Sequence, residues 1–220
     1  MALPAQRFIS PERVLREIYP RTAADLGMSE KRRDELIAAA IFASFRNHEF
    51  GTHLLFRPDY REICEEDDAR GIDVTLEDAG GRRKHLQIKG VYIQRSIERR
   101  RHHAVKGTPR VTGRRTRRQI KKDSRELTVI MRGELTKIIH DYSGLILLIH
   151  VIADLATQTS LEIAIRKSRK IVANLKAREV WFLRHIPVRA LDPAKPLNCH
   201  AYKLIKAEPD RHTYAFSFSV

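Results

Sequence analysis

The spacing of apolar residues changes period several times along the chain. "SEKRRDELIAAAIFASFRN" sets Leu36, Ile37, Ala40, Ile41 and Phe45 at helical spacing behind charged opening turns, with Ser29 as the cap. Ahead of it, "SPERVLREIY" predicts a short helix capped by Ser10, with Pro11 at its first position. After Gly51 the pattern turns to strands: "THLLFRPDYREI", then "RGIDVTLED", then "RKHLQIKGVYI". The acidic "CEEDDA" separates the first pair and "DAGGR" the second. The latter is a hairpin signal, because an Asp and two glycines supply the turn between alternating strands.

Further on, "DSRELTVIMRGELTKIIHDY" predicts a helix, "GLILLIHVIA" a buried strand, "SLEIAIRKSRKIVANLKAR" a helix and "EVWFLRHIPV" a strand. The tail supplies two more strands, "CHAYKLIKA" and "TYAFSFSV". The order predicts an α/β protein with a mixed sheet flanked by helices: an antiparallel first half, room for a parallel crossover in the second, and a C-terminal hairpin. No period of 20 to 50 residues repeats, so a solenoid is not indicated. The chain divides into a helical extension (1–28), a helix with a three-stranded antiparallel unit (29–94), a basic arm (95–125), the second half of the core (126–190) and the terminal hairpin (191–220), all expected in one structural domain.

Charge sharpens this picture. The 220 residues hold 42 Lys and Arg against 27 Asp and Glu, a formal charge of +15. Between Arg95 and Arg125 stand thirteen basic residues: Arg95, Arg99, Arg100, Arg101, Lys106, Arg110, Arg114, Arg115, Arg117, Arg118, Lys121, Lys122 and Arg125. Only Glu98 and Asp123 oppose them, so +11 of the +15 lies in this stretch. Gly107, Pro109 and Gly113 interrupt it, predicting an arm or a helix-loop-helix excursion rather than a strand. Such concentration points to a polyanion, with DNA as the first candidate. The longest apolar runs fall well short of the roughly 20 residues that a membrane span needs. The N-terminus lacks the apolar stretch of a secretory signal, so a cytoplasmic location is expected. Cys64 and Cys199 stand far apart without metal-type spacing and read as reduced thiols.

Alternation assigns faces to the "GID" and "QIK" strands. Ile72, Val74 and Leu76 share one side, leaving Asp73, Thr75 and Glu77 on the other; Leu86 and Ile88 leave Gln87 and Lys89 opposite. A hairpin about Gly80 or Gly81 sets Asp73 across from Gln87 or Lys89, on one polar face. A carboxylate and an amide oxygen are hard ligands that suit Mg²⁺ or Mn²⁺, and a nearby ammonium orients a water or offsets charge growing on phosphorus. A merely solvated strand face is the plain alternative.

"GIDVTL", with thirteen residues between Asp73 and the Gln of "QIK", resembles the PD-(D/E)xK nuclease superfamily, of restriction-endonuclease-like fold, and most of all its Mrr-like and Holliday-junction-resolvase-like branches. The likeness covers residues 29 to 92, and the helices and strands from 123 to 187 suit the rest of such a core. The resemblance implies a metal-dependent DNA endonuclease in which Asp73 and Gln87 hold Mg²⁺ or Mn²⁺ and Lys89 assists the attacking water. It also implies an acid from the preceding helix, Glu35 or the weaker option Glu30. Gln87 stands where the family has Glu, which removes one negative charge from the metal site unless Glu35 or Glu77 compensates. The literal "PD" falls at Pro58 and Asp59, which reads as a turn, although Asp59 stays open as a replacement for Asp73.

Double-strand cutting calls for two sites, so a homodimer is expected, and a separate ATPase or methyltransferase partner stays open. The competing readings are a catalytically inactive nucleic-acid-binding protein of this fold and a basic module of a ribonucleoprotein. His102 and His103 raise an HNH-type site, though in a basic stretch they fit phosphate contact better. Trp181 and Phe182 read as core rather than as a stacking platform, and Tyr92 as a strand-end residue. Lys167, Arg169 and Lys170 extend the basic surface or form a solvated helix face.

Overall fold

The computed structural model describes residues 8–63, 65–92, 117–136, 144–152, 158–186, 199–208 and 212–219. Two compact units emerge. One gathers Met1–Lys89, Tyr142–His150 and Ala177–Val220; the other gathers Gly90–Asp141 and Val151–Lys176.

The first unit is built on a seven-stranded sheet whose spatial order follows the chain. Its strands are β1 (Leu55–Phe56), β2 (Val74–Glu77), β3 (Arg83–Tyr92), β4 (Ile146–Ile152), β5 (Glu179–Ile186), β6 (Cys199–Glu208) and β7 (His212–Ser219). The chain is thus a mixed α/β protein. The pairs β1–β2, β2–β3, β5–β6 and β6–β7 are antiparallel. The predicted terminal hairpin is therefore present as β6–β7.

Helices α1 (Pro11–Ile18) and α2 (Glu30–Phe50) belong to this unit. Ser10 and Ser29 cap them as expected, each side chain accepting from the backbone N–H three residues on. From Leu36 to Phe45 every residue of α2 is buried, because α1 and the sheet enclose it. Val74, Leu76, Leu86, Ile88, Ile146, Leu148, Trp181 and Leu183 belong to the same core. Trp181 is fully buried against Phe42 and Phe45, and its indole N–H donates to Glu179 at 2.7 Å, so it is core as read.

Three local expectations change. The strand expected from Thr52 to Ile63 is only two residues long; Pro58 cannot donate to a ladder, and residues 58–61 turn instead. The acidic stretch coils into a short helix, α3 (Glu65–Ala69). The helix expected from Asp123 already runs at Arg117, so the last part of the basic arm is helical.

The second unit holds α4 (Arg117–Thr136) and α5 (Gln158–Asn174), which pack on each other. Ser124, Leu127, Met131 and Leu135 form the buried stripe of α4; Leu161, Ala164, Ile165, Ser168 and Val172 form that of α5. Arg132 donates to the Lys167 carbonyl at 2.7 Å. Among the described residues no helix is long and apolar enough to cross a membrane.

Candidate active site

The β2–β3 register pairs Val74 with Leu86, Thr75 with His85 and Glu77 with Arg83. Extended by one residue, it places Asp73 across from Gln87, and the Asp73 N–H donates to the Leu86 carbonyl at 2.9 Å. The turn holds this register because Asp78 Oδ1 accepts from the N–H groups of Gly80 and Arg82 at 2.9 and 3.1 Å, while Gly81 takes a left-handed φ of 75°. Of the two pairings that parity allowed, the structure has Asp73 with Gln87.

Asp73 Oδ2 accepts from the Ile88 backbone N–H at 2.6 Å and from Gln87 Nε2 at 3.0 Å. Gln87 is only 4% exposed, so at Gln87 itself the polar face of the hairpin is not solvated. Its Oε1 is buried without a hydrogen-bond partner among the described residues. Glu35, one turn into α2, is likewise buried; Lys31 lies 3.4 Å from one carboxylate oxygen and Arg32 3.7 Å from the other. Lys89 is half-buried, and its charge acts on Asp73.

Burial pushes both carboxyls up from their ordinary values. For Asp73, desolvation outweighs the Ile88 hydrogen bond and the charges of Lys89, Lys31 and Arg32. For Glu35, desolvation is again the largest cause, and the negative charge of Asp73 adds to it against Lys31 and Arg32. Two carboxylates that repel each other and a neighbouring side-chain amide are hard-oxygen groups of the kind that Mg²⁺ or Mn²⁺ takes, although in this arrangement the amide turns its NH₂ end to Asp73.

Of the other acids that the sequence offers, Asp59 lines one cleft with Asp73, and Glu30 and Glu77 do not. Glu30 is exposed at the start of α2. Asp59 is exposed and ion-paired with Arg57 at 3.1 Å. Glu77 lies four residues along β2, about 13 Å from Asp73 at strand rise, too far to replace the charge that Gln87 lacks.

Arg32 is the site residue that pattern reading missed. Inside the charged run "SEKRRDE" it reads as a solvated first-turn residue, yet it is 8% exposed. Its guanidinium donates to the carbonyls of Tyr60, Arg61, Glu62 and Asp73. It thereby ties the 60–62 segment to the start of β2. A cleft lined by Arg32, Asp59, Tyr60, Asp67, Asp73 and Thr75 opens beside it.

Comparison with protein-family models, curated proteins and solved structures gives no match.

Of the basic arm, Arg117, Arg118, Lys121 and Lys122 stand exposed on the opening turns of α4, whose first turn contains no acid. Arg99, Arg100, Arg101, Lys106, Arg110, Arg114 and Arg115 lie outside the described residues, as do His102, His103 and Cys64; so do the side chains of Tyr92, Arg169 and Cys199. Lys167 and Lys170 are exposed on α5.

The raised carboxyls make a stability prediction with a definite sign. A folded-state pKa above the unfolded one means that ionisation costs stability. That cost is full above the folded pKa and is relieved as pH falls toward the ordinary values of 3.8 and 4.5. Glu35→Gln removes one of the two charges and is expected to stabilise the protein by about 1 kcal/mol at neutral pH in EDTA. The gain should shrink as the medium is acidified toward the folded pKa. Urea unfolding at several pH values measures it, and a neutral-pH loss would show that Lys31 and Arg32 outweigh burial.

Proposed function

We propose that this protein is a divalent-metal-dependent DNA endonuclease that hydrolyses phosphodiester bonds on a restriction-endonuclease-like core. The observation that carries the reading is the pairing of Asp73 with Gln87 across β2 and β3, with buried Glu35 and half-buried Lys89 acting on the same carboxylate.

Asp73, Glu35 and Gln87 are the groups that would hold Mg²⁺ or Mn²⁺, and the Gln87 amide oxygen is buried without a hydrogen-bond partner among the described residues. A cation held there supplies Lewis acidity and charge neutralisation at a phosphate oxygen. Asp73 is fixed for that role by the Ile88 N–H, and its backbone by Arg32. Lys89, a compact point charge on the polar face, orients the attacking water and offsets negative charge growing on phosphorus. The basic arm grips phosphates rather than bases, so it sets affinity more than sequence choice. A homodimer would supply two such sites for double-strand cutting.

The test incubates the purified protein with supercoiled plasmid and with a branched DNA, in Mg²⁺ or Mn²⁺ and in EDTA. Cleavage that needs the metal supports the enzyme. Binding to both DNAs without cleavage in either metal returns the reading to a non-catalytic binding protein of the same fold.

Both readings need the arm, and they share a quantitative expectation. Replacing Arg117, Arg118, Lys121 and Lys122 together by Gln should weaken binding to unrelated duplexes to a similar extent, and flatten the slope of log K against log salt by about 1 for each phosphate that is no longer neutralised. Fluorescence anisotropy over a salt series reads this. An unchanged slope would remove the opening of α4 from the interface.

A further inference from the structure

Gln87 has a defined orientation. Asp73 Oδ2 takes a hydrogen bond from its amide at 3.0 Å, and only the nitrogen end can give one; two oxygens at that distance would repel. The amide oxygen is thereby turned away from Asp73 and left buried, unpartnered among the described residues. It faces Gly71, whose φ of 69° belongs to the left-handed region, and a Cβ placed there would come within 2.9 Å of that oxygen. Gly71 thus leaves a hollow, smaller than a methyl group, against the end of the Gln87 side chain.

With this arrangement the side chain gives its donor to the carboxylate and withholds its oxygen from it. A cation needs the reverse. We propose that Gln87 is an amide latch on the cation site, an inference that rests on the metal site described above. In the arrangement described, its NH₂ group occupies Asp73. Cation uptake is coupled to a half-turn of the amide about its last side-chain torsion, which carries Oε1 to the Asp73 side and the NH₂ group into the hollow at Gly71. That torsion is a soft one between sp³ and sp² atoms, so the turn needs no backbone movement. A glutamate at 87 cannot act this way: it has no donor for Asp73 and would be a third buried negative charge beside Asp73 and Glu35. The latch therefore trades cation affinity for an empty site that is internally hydrogen-bonded.

The test is a Mg²⁺ titration of protein labelled with ¹⁵N at glutamine side chains, run beside Gln87→Glu, whose missing signal assigns the Gln87 NH₂ pair. In wild type the Gln87 NH₂ resonances should shift along the Mg²⁺ saturation curve as their bond to the carboxylate is lost. Gln87→Glu should bind Mg²⁺ about tenfold more tightly or better, in line with affinity set by ligand charge. Its melting temperature should also fall below that of wild type in EDTA. If it does not fold without cation, the wild-type titration decides alone. Mg²⁺ saturation with the Gln87 NH₂ pair unmoved, or a Gln87→Glu protein that binds no more tightly, overturns the latch and leaves the cation site standing. If about 10 mM Mg²⁺ or Mn²⁺ leaves the spectra and melting temperatures of both proteins unmoved, the cation site falls and the latch with it.

Discussion

Lys89→Ala is expected to lower the rate of DNA cleavage by about 10²- to 10³-fold, the usual cost of removing one preorganised group that stabilises transition-state charge. Lys89 follows Gln87 by two residues on β3 and so shares its face. Its charge is the first of the nearby cations acting to lower the Asp73 carboxyl. The loss should fall on kcat, because one half-buried ammonium contributes little to DNA affinity beside the charge of the arm. Lys89→Arg should recover only part of the rate, since a planar fork cannot replace a compact ammonium on the same stem. Asp73→Asn should be as damaging, because it removes the negative charge with which the proposed site would hold its cation while keeping an acceptor for the Ile88 N–H. Single-turnover cleavage, with circular dichroism to verify the fold, measures all three. A Lys89→Ala protein within a few-fold of wild type would remove Lys89 from the chemistry.

The hairpin that carries these residues was legible in the chain. Strict alternation in "GIDVTLE" and "HLQIKGV", with a glycine turn between them, allows few registers, and each puts Asp73 on the face of Gln87 and Lys89. The caps at Ser10 and Ser29 were equally plain, since a hydroxyl before a charged first turn has one obvious use. What pattern could not show was how deep the polar residues lie. Gln87 and Glu35 read as polar positions of a strand and a helix, yet both are buried: the Gln87 amide lies against Gly71 and Asp73, and Glu35 lies beside Arg32, which ties the helix start to the 60–62 segment. That tie joins residues about thirty positions apart, beyond the reach of any local period. The overlong first strand failed for a related reason: Leu54 and Phe56 are buried as strand residues would be, while Pro58 ends the pairing that alternation alone would continue. The acidic stretch has no apolar period of its own and becomes helical over five residues, with Thr75 donating to Asp67 at 3.0 Å to hold α3 against β2.

Arg32 carries the largest stability effect. Desolvation presses its guanidinium down from its ordinary value, and the charges of Glu35 and Asp73 act against that pressure. Four carbonyls depend on it, at Tyr60, Arg61, Glu62 and Asp73. Arg32→Met keeps much of the stem and removes every one of those donors. Each buried carbonyl left bare costs about 1–3 kcal/mol, and Glu35 also loses a counter-charge. Some of the carbonyls will find water at the cleft, so the expected loss is about 3 kcal/mol in urea unfolding. Arg32→Lys should recover less than half of it, because a single ammonium cannot fork to groups on both the 60–62 segment and β2. The two readouts of this variant must move together: limited proteolysis should open the chain near Arg61, and metal-dependent cleavage should fall as Asp73 loses its backbone anchor. A loss below about 1 kcal/mol would mean that the carbonyls find other donors. Proteolysis without loss of cleavage would confine Arg32 to the fold and leave the positioning of Asp73 to Ile88 and Gln87.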